Sequence, residues 1–376
     1  MTRILVSAEG QADNVGDSVL RRGLLDTLRA HGHLVVRLAD STPDYVNGLR
    51  LSADDEVITS QALWRQAVMA AARQGDVLAH NAGEALLERG WALGYARMAP
   101  VLTLARLRGG HALHLGYGMR APNALWGAVV RAALAPCDLV TWRDDASRRW
   151  VGSGATAPDW AYAAGPTSPT GDAPGTSVAD LPSPGRDLLA VSLRGDRELP
   201  SDAWAATVRS IAADRRLTIA VAPQVGRDRA RAAELATRLG GTLVDDEDWS
   251  HDAVEARVRA VYRRAAAVVS DRLHAVVMGH TEGAVPVGLG RSVSKIARTL
   301  ATVGLAHAAI PDGDARDMIP AVHALVDEPA VAHASADDAR DRLVALSAQI
   351  GRLLHGERTT SRSAAGASPV TAVDSP

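Results

Sequence analysis

The stretch that decides the fold is residues 266–300, AAVVSDRLHAVVMGHTEGAVPVGLGRSVSKIARTL. Two short apolar runs, 266–269 and 285–289, are each followed by a segment with the apolar spacing of a helix, 272–282 and 293–303. This order predicts two parallel strands, each of which leads into a helix.

The same alternation of strands and helices extends outward from this stretch through most of the 376 residues. It predicts a C-terminal α/β domain over 187–330 and an N-terminal α/β domain over 1–165. A segment rich in proline and glycine, 166–186, is predicted to link them. We therefore expect an α/β protein of two Rossmann-like domains with parallel sheets and an active site in the interdomain cleft. Residues 331–356 are predicted to form a C-terminal helix, and 357–376 a disordered tail.

The composition excludes several kinds of function. The chain has 41 basic and 43 acidic residues, so it lacks the positive surplus of a duplex nucleic-acid-binding protein. The single cysteine, Cys137, excludes an internal disulfide framework and a zinc ribbon, and no metal-binding signature appears. The sequence has no secretory layout and no apolar stretch of 18 residues, so we expect a cytoplasmic protein without an integral membrane segment.

One basic residue differs from all the others. Lys295 is the only lysine among the 41 basic residues. Biased codon usage accounts for the arginines wherever the exchange of lysine for arginine is harmless. Because lysine is a compact point charge and arginine a planar fork, we interpret Lys295 as a pointer to a position where the exchange is not harmless.

The strongest candidate site is Ser270-Asp271-Arg272-Leu273-His274, which follows a predicted strand and opens a predicted helix. The helix macrodipole disfavours cations at an N-terminus. Arg272 and a protonated His274 therefore predict an anion bound at this helix end.

The next strand leads to a similar arrangement. Ser292 or Ser294 is predicted to cap the following helix, and Lys295 falls in or just before its first turn. Two adjacent helix N-termini, each with a cation, predict a pocket for phosphate or carboxylate.

Two loops of the N-terminal half are predicted to lie at one edge of its sheet. In the first loop, Asn14 and Gly16 suit unusual backbone angles and Asp17 suits an N-cap. The other loop contains Asn81 and then Glu84, an acid at a predicted helix start. Turn formation and helix capping account for both loops in structural terms. Two of only four asparagines fall here, which favours a ligand site somewhat more.

Two arginines at predicted strand ends have two interpretations each. Arg194 ends the first strand of the second half and is predicted either to bind an anion in the cleft or to be a surface residue. Arg143, followed by two aspartates, is predicted to belong to a salt-bridged helix start.

These motifs together resemble the polysaccharide pyruvyl transferase family. The resemblance covers about residues 1–305 and rests on five motifs in the family's order: Asn14-x-Gly16-Asp17, Arg143-Asp144-x-x-Ser147, Ser270-Asp271-Arg272-Leu273-His274, Pro286-Val287 and Ser294-Lys295-Ile296. Where many relatives have a Gly-Gly pair, this chain has Ala82-Gly83, which bears on the local backbone and on acceptor choice.

The resemblance implies a GT-B-like fold and a transferase that moves the pyruvyl group of phosphoenolpyruvate onto sugar hydroxyls as a ketal. It implies that Arg272 and His274 bind the donor and assist proton transfer, with no cofactor besides this donor substrate. The acceptor, a sugar or lipid-linked glycan, would face the first domain near Asn14 and Asn81, with Asp17 or Glu84 as base. A lipid-linked acceptor would require transient contact with a membrane surface.

Two other functions fit the same residues. One is a GT-B glycosyltransferase, since a basic pocket also holds the diphosphate of a nucleotide sugar. The other is a non-catalytic relative that binds sugars or anions without turnover.

Overall fold

The computed structural model describes residues 2–164 and 185–356. The predicted tail lies outside the described residues, as does the predicted linker up to residue 184.

Among residues 2–164, eight parallel strands form one sheet. The strands are β1 (Arg3–Ser7), β2 (His33–Arg37), β3 (Glu56–Ile58), β4 (Val77–His80), β5 (Gly83–Leu86), β6 (His111–Arg120), β7 (Leu139–Trp142) and β8 (Ala155–Thr156). Their order is β3-β2-β1-β4-β6-β7-β8, and β5 pairs with the far end of β6. The helices are α1 (Val15–Arg29), α2 (Pro43–Leu49), α3 (Gln61–Gln74), α4 (Arg89–Leu107), α5 (Ala124–Ala133) and α6 (Asp145–Val151), followed by a 3-10 helix (Trp160–Ala163).

Within residues 185–356, six parallel strands form the second sheet, in the order β11-β10-β9-β12-β13-β14. They are β9 (Leu188–Ser192), β10 (Thr218–Val221), β11 (Thr242–Leu243), β12 (Ala265–Ser270), β13 (Val285–Gly290) and β14 (Ala309–Pro311). The helices are α7 (Asp202–Asp214), α8 (Arg229–Leu239), α9 (His251–Arg264), α10 (Leu273–Thr281), α11 (Ser294–Ala301), α12 (Ala315–Asp327) and α13 (Pro329–Leu354). The prediction of two Rossmann-like domains with parallel sheets is confirmed.

Strand β1 shows why its sheet is covered on both faces. Ile4 and Val6 belong to the apolar core that includes α1, whereas Leu5 belongs to a separate core beneath α3 and α4. Successive side chains of a strand point to opposite faces. Because helices cover both faces of the sheet at β1, this strand requires a continuous apolar run.

One predicted helix begins too early, and several elements were missed. The apolar residues of 84–108 predict one long helix, but this stretch begins with the short strand β5, and α4 starts only at Arg89. Because β5 extends the sheet beside the second half of β6, Glu84 is a strand residue and not an acid at a helix start. The missed strands are β3, β5, β8 and β14, and the missed helices are α2 and α12.

Helices from both ends of the described chain join the two domains. In α1, Arg22 donates two hydrogen bonds to the carboxylate of Glu255 in α9, at 2.9 and 2.5 Å. Helix α13 packs on α10, on β13 and on the 3-10 helix of the first half. It also places Ser347 Oγ 2.9 Å from His31 Nε2. None of the helices in the described ranges is long and apolar enough to cross a membrane.

Candidate functional site

The largest described cavity, about 820 Å³, lies between the two domains. Its walls come from loops after β1, β7, β9, β10, β12 and β13, with β5 and the end of β6, so the carboxyl ends of both sheets face it. Nine of the predicted site residues line it: Asn14, Asp17, Glu84, Arg194, Asp271, Arg272, His274, Ser294 and Lys295. We call this space the charged cavity.

His274 lies between two carboxylates that come from the other half of the chain. Its Nδ1 is 3.9 Å from Asp17 Oδ1, and its Nε2 is 3.6 Å from Asp159 Oδ2. Both distances exceed a direct hydrogen bond, so the interaction is electrostatic. Burial alone would raise the pKa of Asp159, but His274 and then Arg143 hold that pKa well below its ordinary value. Asp159 therefore presents a fixed negative charge to the imidazole.

The N-terminus of α1 brings Asp17 to this histidine, in a way that corrects two predictions. Asn14, not Asp17, is the N-cap, and its side chain accepts a hydrogen bond from the Gly16 N–H at 3.1 Å. Gly16 is helical and has no positive φ, so its value does not lie in backbone freedom. A Cβ at Gly16 would stand 2.3 Å from the Cβ of His274. The missing side chain is what permits the two helices to meet.

Arg272 is not the unpaired cation that the sequence indicated. Its Nε and Nη2 donate to the carboxylate of Asp228 at 2.5 and 2.7 Å, and Asp228 is fully buried. The positive charge of Arg272, from which the sequence predicts a bound anion, is thus balanced within the protein. Two of the three guanidinium nitrogens are engaged, which leaves Nη1 for a ligand.

Lys295 reaches across the cleft to Glu84. Lys295 Nζ donates to Glu84 Oε2 at 3.2 Å, and the same carboxylate contacts Arg120 at 2.8 Å and Arg143 at 3.2 Å. Burial, with repulsion from Arg143, lowers the pKa of Lys295 to about 8 in spite of Glu84. Burial would raise the pKa of Glu84, but Lys295, Arg143 and Arg120 together hold it below its ordinary value.

Arg143 connects the two ends of the site. Its side chain is 1% exposed, with Nη2 3.2 Å from Glu84 and Nη1 3.5 Å from Asp159. Charges of alternating sign therefore run from Asp159, beside His274, through Arg143 and Glu84 to Lys295. The salt-bridged helix start predicted for this segment is confirmed, with Asp144 as the N-cap of α6 and Asp145 paired with Arg148.

The helices that carry His274 and Lys295 begin without a capping side chain. Neither α10 nor α11 has a side-chain hydrogen bond at its N-cap, which is Arg272 in one and Val293 in the other. The predicted capping of α11 by Ser292 or Ser294 is therefore wrong. Because β12 and β13 are neighbours in the sheet, these two helix ends open side by side on the charged cavity. Free N–H groups at helix N-termini bind anions.

Arg194 and Asp271 shape the wall of the C-terminal domain. Arg194 pairs with Asp196 through two hydrogen bonds, at 2.8 and 2.5 Å, so its charge is largely satisfied. Asp271 accepts from the backbone N–H of Arg194 at 2.9 Å and from Arg197 Nη1 at 3.2 Å. Burial raises the pKa of Asp271. These contacts make Asp271 an anchor for the loop after β9.

Asn81 does not join the other predicted residues. Its Nδ2 donates to the backbone oxygen of Glu9 at 3.0 Å, and the residue lines a second cavity in the N-terminal domain.

The charge of the cavity wall is nearly balanced. Eight cations and three carboxylates line it, but four more carboxylates pair with those cations from behind: Asp144, Asp159, Asp196 and Asp228. The positive groups available to an anion here are therefore the local helix ends and Lys295, and not a broad positive field.

Sequence reasoning missed Asp159 and Asp228. Asp159 lies just before the segment predicted as a linker, and Asp228 falls within residues 227–239, whose apolar spacing predicts a helix. Neither aspartate has a motif that would have distinguished it from a surface residue. Only the packing of the two domains brings them to His274 and Arg272.

No protein-family model matches the chain, and no curated protein matches it. Three similar solved structures are a Listeria monocytogenes protein described as a UDP-N-acetylglucosamine 2-epimerase, HepE from Anabaena in complex with UDP and glucose, and a UDP-GlcNAc 2-epimerase from Neisseria meningitidis bound to UDP-GlcNAc. Their identities to this chain are 11%, 12% and 8%, and their TM-scores are 0.55, 0.53 and 0.52. The alignments cover 93%, 95% and 93% of this chain and 96%, 100% and 100% of the other chains.

The fold is GT-B-like. At such low identity the likeness extends to the fold alone, which is two parallel-sheet α/β domains. In this GT-B-like chain the charged cavity occupies the cleft between the domains.

Proposed function

We propose that this chain transfers the pyruvyl group of phosphoenolpyruvate to hydroxyl groups of a sugar acceptor. The observation that carries the proposal is the pair of uncapped helix ends, α10 and α11, which open together on the charged cavity. Phosphoenolpyruvate has a phosphate and a carboxylate, and two adjacent helix N-termini match two anionic groups. Lys295 supplies a point charge at one helix end, and His274 a proton donor at the other.

In the proposed reaction, protonated His274 donates its proton to the methylene carbon of the donor. A sugar hydroxyl attacks the neighbouring carbon and loses its proton, the bond from that carbon to the phosphate oxygen breaks, and a second hydroxyl closes the ketal. The methylene gains one proton, the two hydroxyls lose two, and inorganic phosphate carries the difference. Asp17 and Asp159 lie 3.9 and 3.6 Å from the two ring nitrogens of His274 and would orient the imidazole for this transfer.

Asp17 is the better placed of the two carboxylates considered as base for the acceptor. Glu84 is bound by three cations, which makes its carboxylate a poor proton acceptor. Burial would raise the pKa of Asp17, but Arg21 and His274 hold it below its ordinary value too. Asp17 nevertheless pairs directly with a single arginine, Arg21 at 3.6 Å, and faces the imidazole. Arg272, with Nη1 uncommitted, and Lys295 would stabilise the departing phosphate.

A second candidate function is glycosyl transfer from a nucleotide sugar. HepE holds UDP and glucose in a chain of this fold, and a cavity of about 820 Å³ accommodates a ligand of that size. Against this candidate, no tryptophan or tyrosine of residues 185–356 lines the charged cavity. The N-terminal domain contributes Trp150, but the guanidinium of Arg298 lies over its ring at 5.0 Å, where a nucleobase would otherwise stack.

Two measurements test the proposal. The protein incubated with phosphoenolpyruvate and a panel of free, nucleotide-linked and lipid-linked sugars should release phosphate. Calorimetry should show binding of phosphoenolpyruvate and little binding of UDP or GDP. Tight binding of a nucleotide without binding of phosphoenolpyruvate would favour glycosyl transfer and overturn the proposal.

His274→Ala should lower turnover about 10²- to 10⁴-fold, since general acid catalysis contributes that much, while donor binding measured by calorimetry changes little. The matched control is His307→Ala, an exposed histidine outside both described cavities, which should keep full turnover. A His274→Ala protein with normal phosphate release would exclude the proposed acid.

A further inference from the structure

A second cavity, about 540 Å³, lies in the N-terminal domain beside the charged cavity. Its walls are β1, β4, α3 and α4, and Arg21 and Glu84 line both spaces. A ligand in this second cavity would therefore have one end next to the charged cavity. We call it the side cavity.

The lining of the side cavity changes from apolar to polar along the strands. At mid-strand it is lined by Leu5 and Leu78, opposite Val68 and Leu102 of the helices, all of which belong to the apolar core beneath α3 and α4. At the carboxyl ends of β1, β2 and β4 and just beyond them, it is lined by polar side chains: Ser7, Glu9, Arg37, His80 and Asn81. One end of the cavity is thus suited to hydrocarbon and the other to hydroxyl groups.

The polar end holds no net charge and has unsatisfied groups. Glu9 pairs with Arg37 at 3.3 Å, and burial lowers the pKa of His80 to about 4, so His80 is neutral at physiological pH. Asn81 Oδ1 and His80 Nε2 are buried without a hydrogen-bond partner. Unpaired buried polar atoms cost free energy that a neutral polyol could recover.

Aromatic rings and one glycine shape the wall formed by the helices. Trp64 and Trp91 line the cavity, and Trp91 is 43% exposed. Gly94 lies inside α4 at the cavity wall, and a Cβ placed there would meet nothing within 4 Å. A glycine inside a helix costs stability relative to alanine, and here it leaves open space.

We infer that the side cavity binds an amphipathic acceptor, a saccharide that carries an alkyl chain. The saccharide lies at the polar end, next to Arg21 and Glu84, where its hydroxyls face the charged cavity. The alkyl chain lies between α3 and α4 against the apolar core. The role as acceptor rests on the proposed function, whereas binding of an alkyl glycoside does not.

The test is calorimetry on the full chain with methyl, butyl and hexyl β-D-glucopyranoside and the matching alkyl maltosides, all kept below micelle-forming concentrations. Affinity should rise with chain length, with at least about tenfold tighter binding of hexyl than methyl, because each buried methylene contributes. Affinity that is independent of chain length with both headgroups, or no binding at all, overturns the inference.

Gly94→Leu locates the site. Leucine favours the helix, and its Cβ would meet no atom within 4 Å at this position in the cavity wall. Hexyl glycoside binding should therefore weaken at least about tenfold while the fold is kept. The control is Gly90→Leu in the same helix, where a Cβ also meets nothing and which does not line the cavity. Equal hexyl affinity in the two variants would place the alkyl chain elsewhere and overturn the inference.

A titration with phosphoenolpyruvate separates this inference from the proposed function. Gly94→Leu should bind phosphoenolpyruvate like the unmodified protein. If the alkyl glycosides bind as expected and phosphoenolpyruvate does not bind at all, the proposed donor is wrong and the side cavity stands.

Discussion

Both the composition and the structure distinguish Lys295 from the other basic residues. The sequence marked it only as the single lysine, and the structure places its ammonium 3.2 Å from Glu84 at the uncapped start of α11. A guanidinium is wider and stays protonated, so arginine would crowd Arg143 and would not titrate. The pKa of Lys295, about 8, makes the difference measurable.

We predict that donor affinity falls as the pH rises through about 8. Lys295 loses its proton there, and the positive charge that binds phosphate disappears, so affinity should drop by up to about tenfold per pH unit above that point. Lys295→Arg should remove this pH dependence and lower turnover severely at pH 7. Phosphate-release rates from pH 6.5 to 9.5 check both effects. A fully active Lys295→Arg enzyme would refute our interpretation of the lone lysine.

Gly16 is important because it has no side chain and so leaves room for His274. Gly16→Ala would put a Cβ 2.3 Å from the His274 Cβ and 2.8 Å from its ring, so the imidazole must move. We expect turnover to fall by about 10²-fold, the scale of a misplacement near 1 Å. Gly90→Ala, in α4 and free of contacts, should leave turnover unchanged. Normal rates for Gly16→Ala would show that the close approach has no catalytic value.

At the scale of elements, local apolar periodicity predicts strands and helices closely in both halves of the chain. It predicts a strand over 285–289 and helices over 202–214 and 145–151, and all three agree with the structure to within a residue. Strand β5 was missed because its four residues, GEAL, have no strand-specific period. The ion pair of Arg272 with Asp228 joins residues 44 positions apart, which local patterns do not report.

The N-cap of α1 can be used to test whether this helix end positions Asp17 for turnover. Asn14→Ala should lower the free energy of unfolding by about 1 kcal/mol through loss of the cap, and should also lower turnover because Asp17 shifts. Asn123 caps α5 in the same way outside the charged cavity, so Asn123→Ala should cost similar stability without loss of turnover. Urea unfolding and phosphate release measure the two effects. Equal turnover in both variants would separate α1 from catalysis.

At the scale of the whole molecule, the geometry of the cleft depends on how the domains are fixed to each other. Glu255 of α9 is 2% exposed and binds Arg22 of α1 and Arg259, which also contacts Glu282. Buried pairs of this kind often add little net stability, but breaking one leaves a buried charge without a partner. The pair therefore constrains the relative position of the two domains.

We predict that Glu255→Gln destabilises the protein by about 3 kcal/mol at pH 7, because Arg22 is left buried without its carboxylate.

Burial would raise the pKa of Glu255, but Arg22 and Arg259 hold it at about 2, below the ordinary 4.5. A carboxylate with a depressed pKa in the folded state stabilises above pH 4.5, and this contribution is lost as the pH falls toward 2. The unmodified protein should therefore lose stability steeply across that interval, and Glu255→Gln less steeply. Urea unfolding at a series of pH values measures this, with Asp252→Asn, an exposed partner of Arg50, as a control that should change stability by less than about 1 kcal/mol. Parallel pH curves for Glu255→Gln and the unmodified protein would show that the pair does not hold the domains together.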